Sequence, residues 1–357
     1  MPKTGMLVKI SLAVVAAATI ATVAVSAAGA ARQSTSLSGA GSTFVQPLIN
    51  AWTQLPSQSQ SPFTKAKHIT VTYGGGGSGA GVSDIIAKTV AFGASDAPLT
   101  SYATTCKTCV QTPWALSGTA MIYHISGVTK TLNMSGPVLA KIYLGTIKYW
   151  DDKAIKAINK GVSIPHTAIT TVHRDSSSGT TYNFTDFLSH VSSTWKNKYG
   201  ATTLIGTWPG NNVQAHGSNG VAAAVANTNG AIGYVDLWYG ITAHLKYMSI
   251  ENQHGRFVQP TLSSIAQASK LDTTPKADGT LSIVNPPNKT KYFGAYPIST
   301  YTYVDVQKHS GSKATPLKTF LLWAVTSGQS HAAANYFVPL PSGVVSWDKT
   351  HIKQIVS

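Results

Sequence analysis

Three observations predict an α/β fold for this chain of 357 residues. Short stretches with strand alternation take turns with stretches of helical spacing along most of its length. Three turns rich in glycine and hydroxyl side chains, within Gly39 to Trp52, Gly74 to Val90 and His173 to Leu188, each run directly into a helix-patterned segment. Beyond the leader, roughly 325 residues remain, enough for two lobes rather than one core.

The first element is a leader. Lys3 and Lys9 precede an apolar run from Ile10, and small residues accumulate from Ser26 to Ala31. This order reads as a signal peptide over 1–31, with cleavage near Ala30 or Ala31. An uncleaved anchor is the alternative, since Ile10 to Ala31 is just long enough to span a bilayer. Either way the remainder is placed outside the cytoplasm. Gln46 to Thr53 reads as a helix with Pro47 in its first turn, where the missing N–H costs nothing. Ile69 to Tyr73 alternates as a strand, and the glycine run leads into a helix over Val82 to Thr89. Val90 onward begins as a short strand ending at the Asp96-Ala97-Pro98 turn. Gly118 to Ile125 is a strand, Pro137 to Gly145 a helix stopped by glycine, and Ile169 to Asp175 a strand. Gly220 to Gly240 reads helix, turn, strand. Glu251 to Asn288, polar and poorly periodic, is expected to hold loops. Thr300 to Lys308 is a strand and Pro316 to Gly328 a helix.

The balance is basic: 27 Lys plus Arg against 12 Asp plus Glu, a net charge of +15. The lysines are scattered, with no dense basic run interleaved with aromatics, so nucleic acid is not an expected partner. Carboxylates are scarce and replaced by neutral polar residues, a composition suited to an acidic external medium. Cys106 and Cys109 are the only cysteines. Lys-Thr between them does not suit a redox motif, and no further ligand pair stands nearby to complete a zinc site. A structural loop clip, or two free thiols, is expected instead.

A helix N-terminus exposes unpaired N–H groups and a partial positive charge, so it favours an anion. Hydroxyls add neutral donors, and glycines let the backbone approach closely. One such turn is an ordinary cap. Three, with Arg174 in the third, point to a tetrahedral oxyanion held by converging helix ends. Gly74, Gly76 and Gly79 fit a G-x-G-x-x-G spacing, but the acidic partner of a dinucleotide fold is missing, as is the Walker Gly-Lys-Ser/Thr. In open α/β sheets such ligands sit beyond the carboxyl ends of the strands.

These motifs resemble the PstS-type phosphate-binding proteins, the substrate-binding component of the phosphate ABC transporter. GAGSTF, YGGGGSGAGV, IIAKTVAFGASDAPLT, KIYLGTIKYWDD, HRDSSSGTTYNFTDFL, NGAIGYVDLWYG, YPISTYTYV, LKTFLLWAVTSGQ and LPSGVV occur in one order over nearly the whole chain after the leader. The resemblance implies a two-lobed periplasmic-binding-protein-like fold with a ligand cleft and a two-stranded hinge. Lobe 1 would be discontinuous, 36–124 plus 301–357, and lobe 2 would span 125–300. It implies a monomeric, non-enzymatic receptor that binds inorganic phosphate and hands it to the transmembrane permease subunits, with no cofactor or metal. The implied ligand shell is the backbone N–H of Thr43 and Phe44 with the Thr43 hydroxyl, Ser78, Asp96, Arg174, Ser178, Gly179 and Thr180.

Arginine suits phosphate because its planar fork makes charge-assisted bonds to two oxygens. Asp96 would accept the hydrogen bond of a protonated phosphate oxygen, which sulfate lacks; an unmatched buried charge would then exclude sulfate. The chain departs from the resemblance at one point. The acid commonly found two residues after the arginine is Ser176 here, and the nearest acid is the adjacent Asp175. The glycine expected before Ser-Gly-Thr is Ser177. Receptors for another tetrahedral oxyanion, or a phosphate-ester hydrolase with Ser78 or Ser178 as nucleophile, are the alternatives. For the hydrolase a base must stand beside the serine, and strand alternation aims His173 away from Arg174.

Overall fold

The computed structural model describes residues 35–357, so the expected leader over 1–31 lies outside the described residues. No helix among the described residues is long and apolar enough to cross a membrane. The strands are β1 (Ser36–Gly41), β2 (Thr70–Gly74), β3 (Phe92–Ser95), β4 (Cys109–His124), β5 (Asn133–Met134), β6 (Thr170–Arg174), β7 (Asn212–Ala215), β8 (Ala231–Asp236), β9 (Lys246–Tyr247), β10 (Ser249–Glu251), β11 (Phe257–Val258) and β12 (Ser299–Gln307). The helices are α1 (Gln46–Thr53), α2 (Pro62–Lys67), α3 (Ser78–Ala87), α4 (Gly136–Tyr143), α5 (Lys153–Ile158), α6 (Gly179–Val191), α7 (Ser193–Lys198), α8 (Gly217–Asn227), α9 (Leu237–Thr242), α10 (Leu262–Ser269), α11 (Ala314–Ala324) and α12 (Ser342–His351).

The main sheet runs β2-β1-β3-β12-β4-β8-β6-β7, and β9 pairs with β4 off this path. β2, β1 and β3 are mutually parallel, as are β7, β6 and β8. Their carboxyl ends are where the three glycine- and hydroxyl-rich turns emerge. β4 joins the two halves: through Gly118 it pairs antiparallel with β12, and from Thr119 it pairs antiparallel with β8. A smaller sheet, β11-β10-β5, stands apart.

Side-chain alternation explains why the second half of the sheet is covered on both faces. On β8, Ile232 and Tyr234 pack into a core with Tyr143 and Phe184 from α4 and α6, while Val235 packs against Val221 and Val225 of α8. The first half is centred on aromatics. Trp52 and Trp114 meet edge to face at 5.5 Å, Phe63 and Phe320 pack at 4.9 Å, and Trp52 Nε1 donates to Gly328 O at 2.8 Å. Such pairs add about 0.5–1.5 kcal/mol each beyond the apolar area they bury.

Several expectations are corrected. The strand expected at Gly118 starts at Cys109, because Pro113 and Gly118 break its alternation and both faces are buried. The register against β12 shifts so that Trp114 is left over between Pro113 and Ala115, a bulge that accommodates the proline's missing N–H. The helix expected from Val82 starts at Ser78, since glycines in its first turn allow a close approach. A side chain at Gly81 would stand 2.6 Å from Gly41 Cα. The region expected to be loops contains α10, whose Thr261 and Ser264 form a reciprocal cap in place of the usual Thr-x-x-Glu. The loop clip expected of Cys106 and Cys109, by contrast, is present as a disulfide, and its small loop leads into β4.

Candidate functional site

The residues singled out in the three turns converge. β1, β2 and β3 end side by side, and backbone bonds tie their turns together: Ser42 N donates to Ala94 O at 2.9 Å, and Gly77 N donates to Gly41 O at 2.8 Å. Gly41 and Gly77 have φ of 135° and 93°, values that side chains rarely adopt. This packing brings Ser42, Ser78 and Asp96 into contact. Ser42 Oγ donates to the Asp96 carboxylate, 2.6 Å from both oxygens, and Ser78 Oγ donates to Asp96 Oδ2 at 3.2 Å. Asp96 is 1% exposed. Burial pushes its carboxyl up to about 6, against the opposing pull of the Ser42 and Ser78 hydroxyls and of the Arg174 charge.

Arg174 ends β6 and is 4% exposed. Its Nη1 donates to Ser178 Oγ at 2.9 Å, and its backbone N–H donates to Tyr234 OH at 3.3 Å. Nε and Nη2 are buried with no partner, as are the hydroxyls of Thr180 and Ser176. Burial lowers the guanidinium pKa, while Tyr234, Asp96 and Asp175 favour the charge. Across the cleft, a side chain at Gly77 would stand 2.9 Å from Arg174 Nη2, and one at Gly179 would stand 2.6 Å from Asp96 N. Gly79 N donates to Ser177 O at 3.1 Å. The heads of α3 and α6 therefore face each other over the guanidinium.

All eight expected residues lie in this cluster, but several of their groups already have protein partners. Phe44 N donates to Ser42 Oγ at 3.0 Å. The Thr43 hydroxyl lies 3.0 Å from Ser218 Oγ and accepts from Ser218 N at 3.1 Å. Tyr239 OH donates to Thr43 O at 2.8 Å, and Tyr73 OH donates to Ser42 O at 2.8 Å. Ser42, Ser218, Tyr73 and Tyr239 were not among the expected residues. Ser42 had a signal, a hydroxyl at the entry to α1; Ser218 had a fainter one, at the start of α8. The tyrosines had none.

Asp175 answers the departure at Ser176. It makes no ion pair with Arg174; its Oδ2 lies 3.3 Å from His216 Nδ1 at the surface. It supports the arginine's charge through its field alone. His173 is a core residue, stacked on Trp208 at 4.8 Å, with Nδ1 3.1 Å from Arg174 O and Nε2 2.9 Å from Asn212 Oδ1. Neither Ser78 nor Ser178 has a histidine partner: Ser78 Oγ bonds Asp96, and Ser178 Oγ caps Thr181 N and receives Arg174.

The arrangement places a buried cation, hydroxyls and helix heads around one point, with a buried carboxylate on its rim. It suits a tetrahedral oxyanion that still carries a proton.

Comparison with known proteins points to one family. A family described as a PBP superfamily domain matches residues 26–327. A phosphate-binding protein PstS from Xylella fastidiosa is 36% identical over 317 residues, covering 88% of this chain and 84% of that protein. A phosphate-binding protein PstS from Haemophilus influenzae is 34% identical over 331 residues, covering 90% and 95%. Among solved structures, a high affinity periplasmic phosphate-binding protein bound with phosphate shares the fold at a TM-score of 0.66 with 22% identity, covering 88% of this chain and 92% of that one.

Proposed function

This chain belongs to the PstS phosphate-binding proteins of the PBP superfamily, and we propose that it is the extracytoplasmic receptor that binds inorganic phosphate for an ABC permease. The observation that carries the reading is the Arg174 guanidinium, buried beneath two helix heads with Nε and Nη2 unpartnered. A buried charge with free donors is costly unless an anion completes it. Phosphate supplies that acceptor, and its remaining proton gives Asp96 something to accept. Thr43, Phe44, Ser78, Asp96, Arg174, Ser178, Gly179 and Thr180 form the shell, the phosphate adding to bonds that several of them already make.

The two halves of the sheet act as lobes, one built from the parts before Thr119 and after Ile298, the other from the part between. β4 crosses between them at Gly118 and Thr119, and the chain returns beside it at Ile298, where Thr119 N donates to Ile298 O at 2.8 Å; these two crossings form a hinge that lets the cleft open for loading and unloading. The receptor works as a monomer, delivers phosphate unchanged, and docks its closed form on the transmembrane subunits.

Calorimetric titration of ligand-stripped protein with phosphate and with sulfate, from neutral to acidic pH, tests this. Tight one-to-one phosphate binding with sulfate silent at neutral pH is the expected result. Comparable binding of both would reduce the site to a generic anion cradle. Binding of neither would remove the receptor reading.

A further inference from the structure

Ser42 lies within the site, yet nothing in the anion chemistry above requires it. Its surroundings assign it a separate task. A serine hydroxyl has one proton to donate and two lone pairs to accept with. Both lone pairs of Ser42 face backbone donors, Phe44 N at 3.0 Å and Val45 N at 3.4 Å. Only the proton remains to give, and Oγ stands 2.6 Å from each carboxylate oxygen of Asp96. The residue is fully buried, so water does not compete. With its accepting capacity filled, Ser42 has no room to receive a hydrogen bond from a protonated Asp96. Two N–H donors pulling on its oxygen also strengthen the bond it gives.

We infer that Ser42 is a specificity-determining residue: its hydroxyl is wired as a one-way donor that keeps Asp96 an acceptor, the state that tells a protonated oxyanion from a fully ionised one. This rests on the phosphate-binding reading and goes beyond it. The other hydroxyl on the carboxylate is differently wired. Ser78 Oγ gives to Oδ2 at 3.2 Å and also accepts from Asp96 N at 3.4 Å.

The other groups around Asp96 are fixed in character. Among the described residues Arg174 from β6 is the cation that faces it, and it favours the carboxylate. Tyr73 from β2, Tyr102 after β3 and Tyr239 of α9 are all pushed up by burial and stay neutral. Asp236 at the end of β8 is also pushed up by burial, and caps α9 through Trp238 N at 2.8 Å. Thr302 of β12 adds a hydroxyl. Burial dominates all of these for Asp96 and favours its neutral form. Without Ser42 the carboxyl holds its proton to higher pH, turns donor, and so accommodates sulfate.

The test is the ratio of sulfate to phosphate Kd, by calorimetry from pH 4 to 8, for the full mature protein and its variants. Wild-type discrimination should fall through a midpoint in the acidic range. Ser42→Ala should move that midpoint up by about one pH unit, a loss of about tenfold in the ratio at the wild-type midpoint. Ser42→Thr, which keeps the hydroxyl, should restore it. In an Asp96→Asn background the pH dependence should vanish, and adding Ser42→Ala should change nothing. An unchanged ratio and midpoint in a folded Ser42→Ala protein overturns the inference, leaving Ser42 a helix-entry cap. A further change in the Asp96→Asn background overturns it too, since Ser42 would then act through Phe44. Wild-type protein that ignores phosphate overturns the receptor reading itself.

Discussion

Replacing Arg174 with methionine removes the charge and all five donors while keeping most of the buried stem. Two of the nitrogens, Nε and Nη2, have no protein partner, and the third, Nη1, is engaged with Ser178. A hydrogen bond to a charged group contributes about 1.5–3 kcal/mol, so two new bonds to phosphate oxygens are worth about 3–6 kcal/mol. Arg174→Met should therefore weaken phosphate binding by about 10²–10⁴-fold. Arg174→Lys should fall between, because a point charge on a flexible stem cannot reproduce the fork. Calorimetry reads the affinity, and thermal unfolding gives an independent check. Ligand at about a thousand times Kd stabilises the native state by about 4 kcal/mol, a shift that Arg174→Met should lose. Unliganded Arg174→Met should be no less stable than wild type, since burial already disfavours this charge. Phosphate binding retained within about tenfold would refute the reasoning, because the unpartnered guanidinium would then not be the anion's main contact.

Stability should decline as pH rises. Burial pushes Asp305 up to about 7 and Asp348 up to about 9, and both oxygens of Asp348 are without partners. Groups raised in the folded state stabilise fully below their unfolded pKa, near 3.8, and lose that contribution as pH rises through the folded values. Urea unfolding at pH 4, 7 and 9 should show falling midpoints, and Asp348→Asn should recover about 2 kcal/mol at pH 9 but little at pH 4. A wild-type midpoint that rises from pH 4 to 9 would contradict this. The contacts that α8 and α9 make with Thr43 should slow ligand release. Ser218→Ala or Tyr239→Phe each removes about 1 kcal/mol of hydrogen bonding, which should raise the phosphate dissociation rate about fivefold by stopped flow. An unaltered rate in both variants would mean these bonds do not hold the cleft shut.

Of the few carboxylates, Asp96, Asp236, Asp305 and Asp348 are fully buried with their pKa values raised. Asp96 faces the Arg174 cation, whereas the other three carboxyls are best tolerated where they are protonated. Nothing in the sequence marks Asp305 or Asp348 as buried: Asp305 sits in an alternating strand and Asp348 in a polar helix, where a surface place is the ordinary expectation.

The sequence by itself determined the alternation of strands and helices, the order of the motifs and the presence of three anion-type helix heads. These are local matters: apolar period, glycine where the backbone must bend, hydroxyls beside unpaired N–H groups. α1 is legible to its last residue, because Pro47 and its buried face Leu48, Ile49 and Trp52 agree. α10 and the first half of β4 were not, since their caps and breaks depend on what packs against them. The tertiary structure alone decided which groups of the site meet. Ser42 reaches Asp96 across 54 residues, Thr43 reaches Ser218 across 175 and Tyr239 reaches Thr43 across 196. It also turned Asp175 to His216 rather than Arg174. Such pairings follow from the parallel strands that set the turns side by side and from the crossing of β4 between the halves. No property of the neighbouring residues in sequence encodes them, because hydrogen-bond partners are chosen by direction and distance, which only the folded chain fixes.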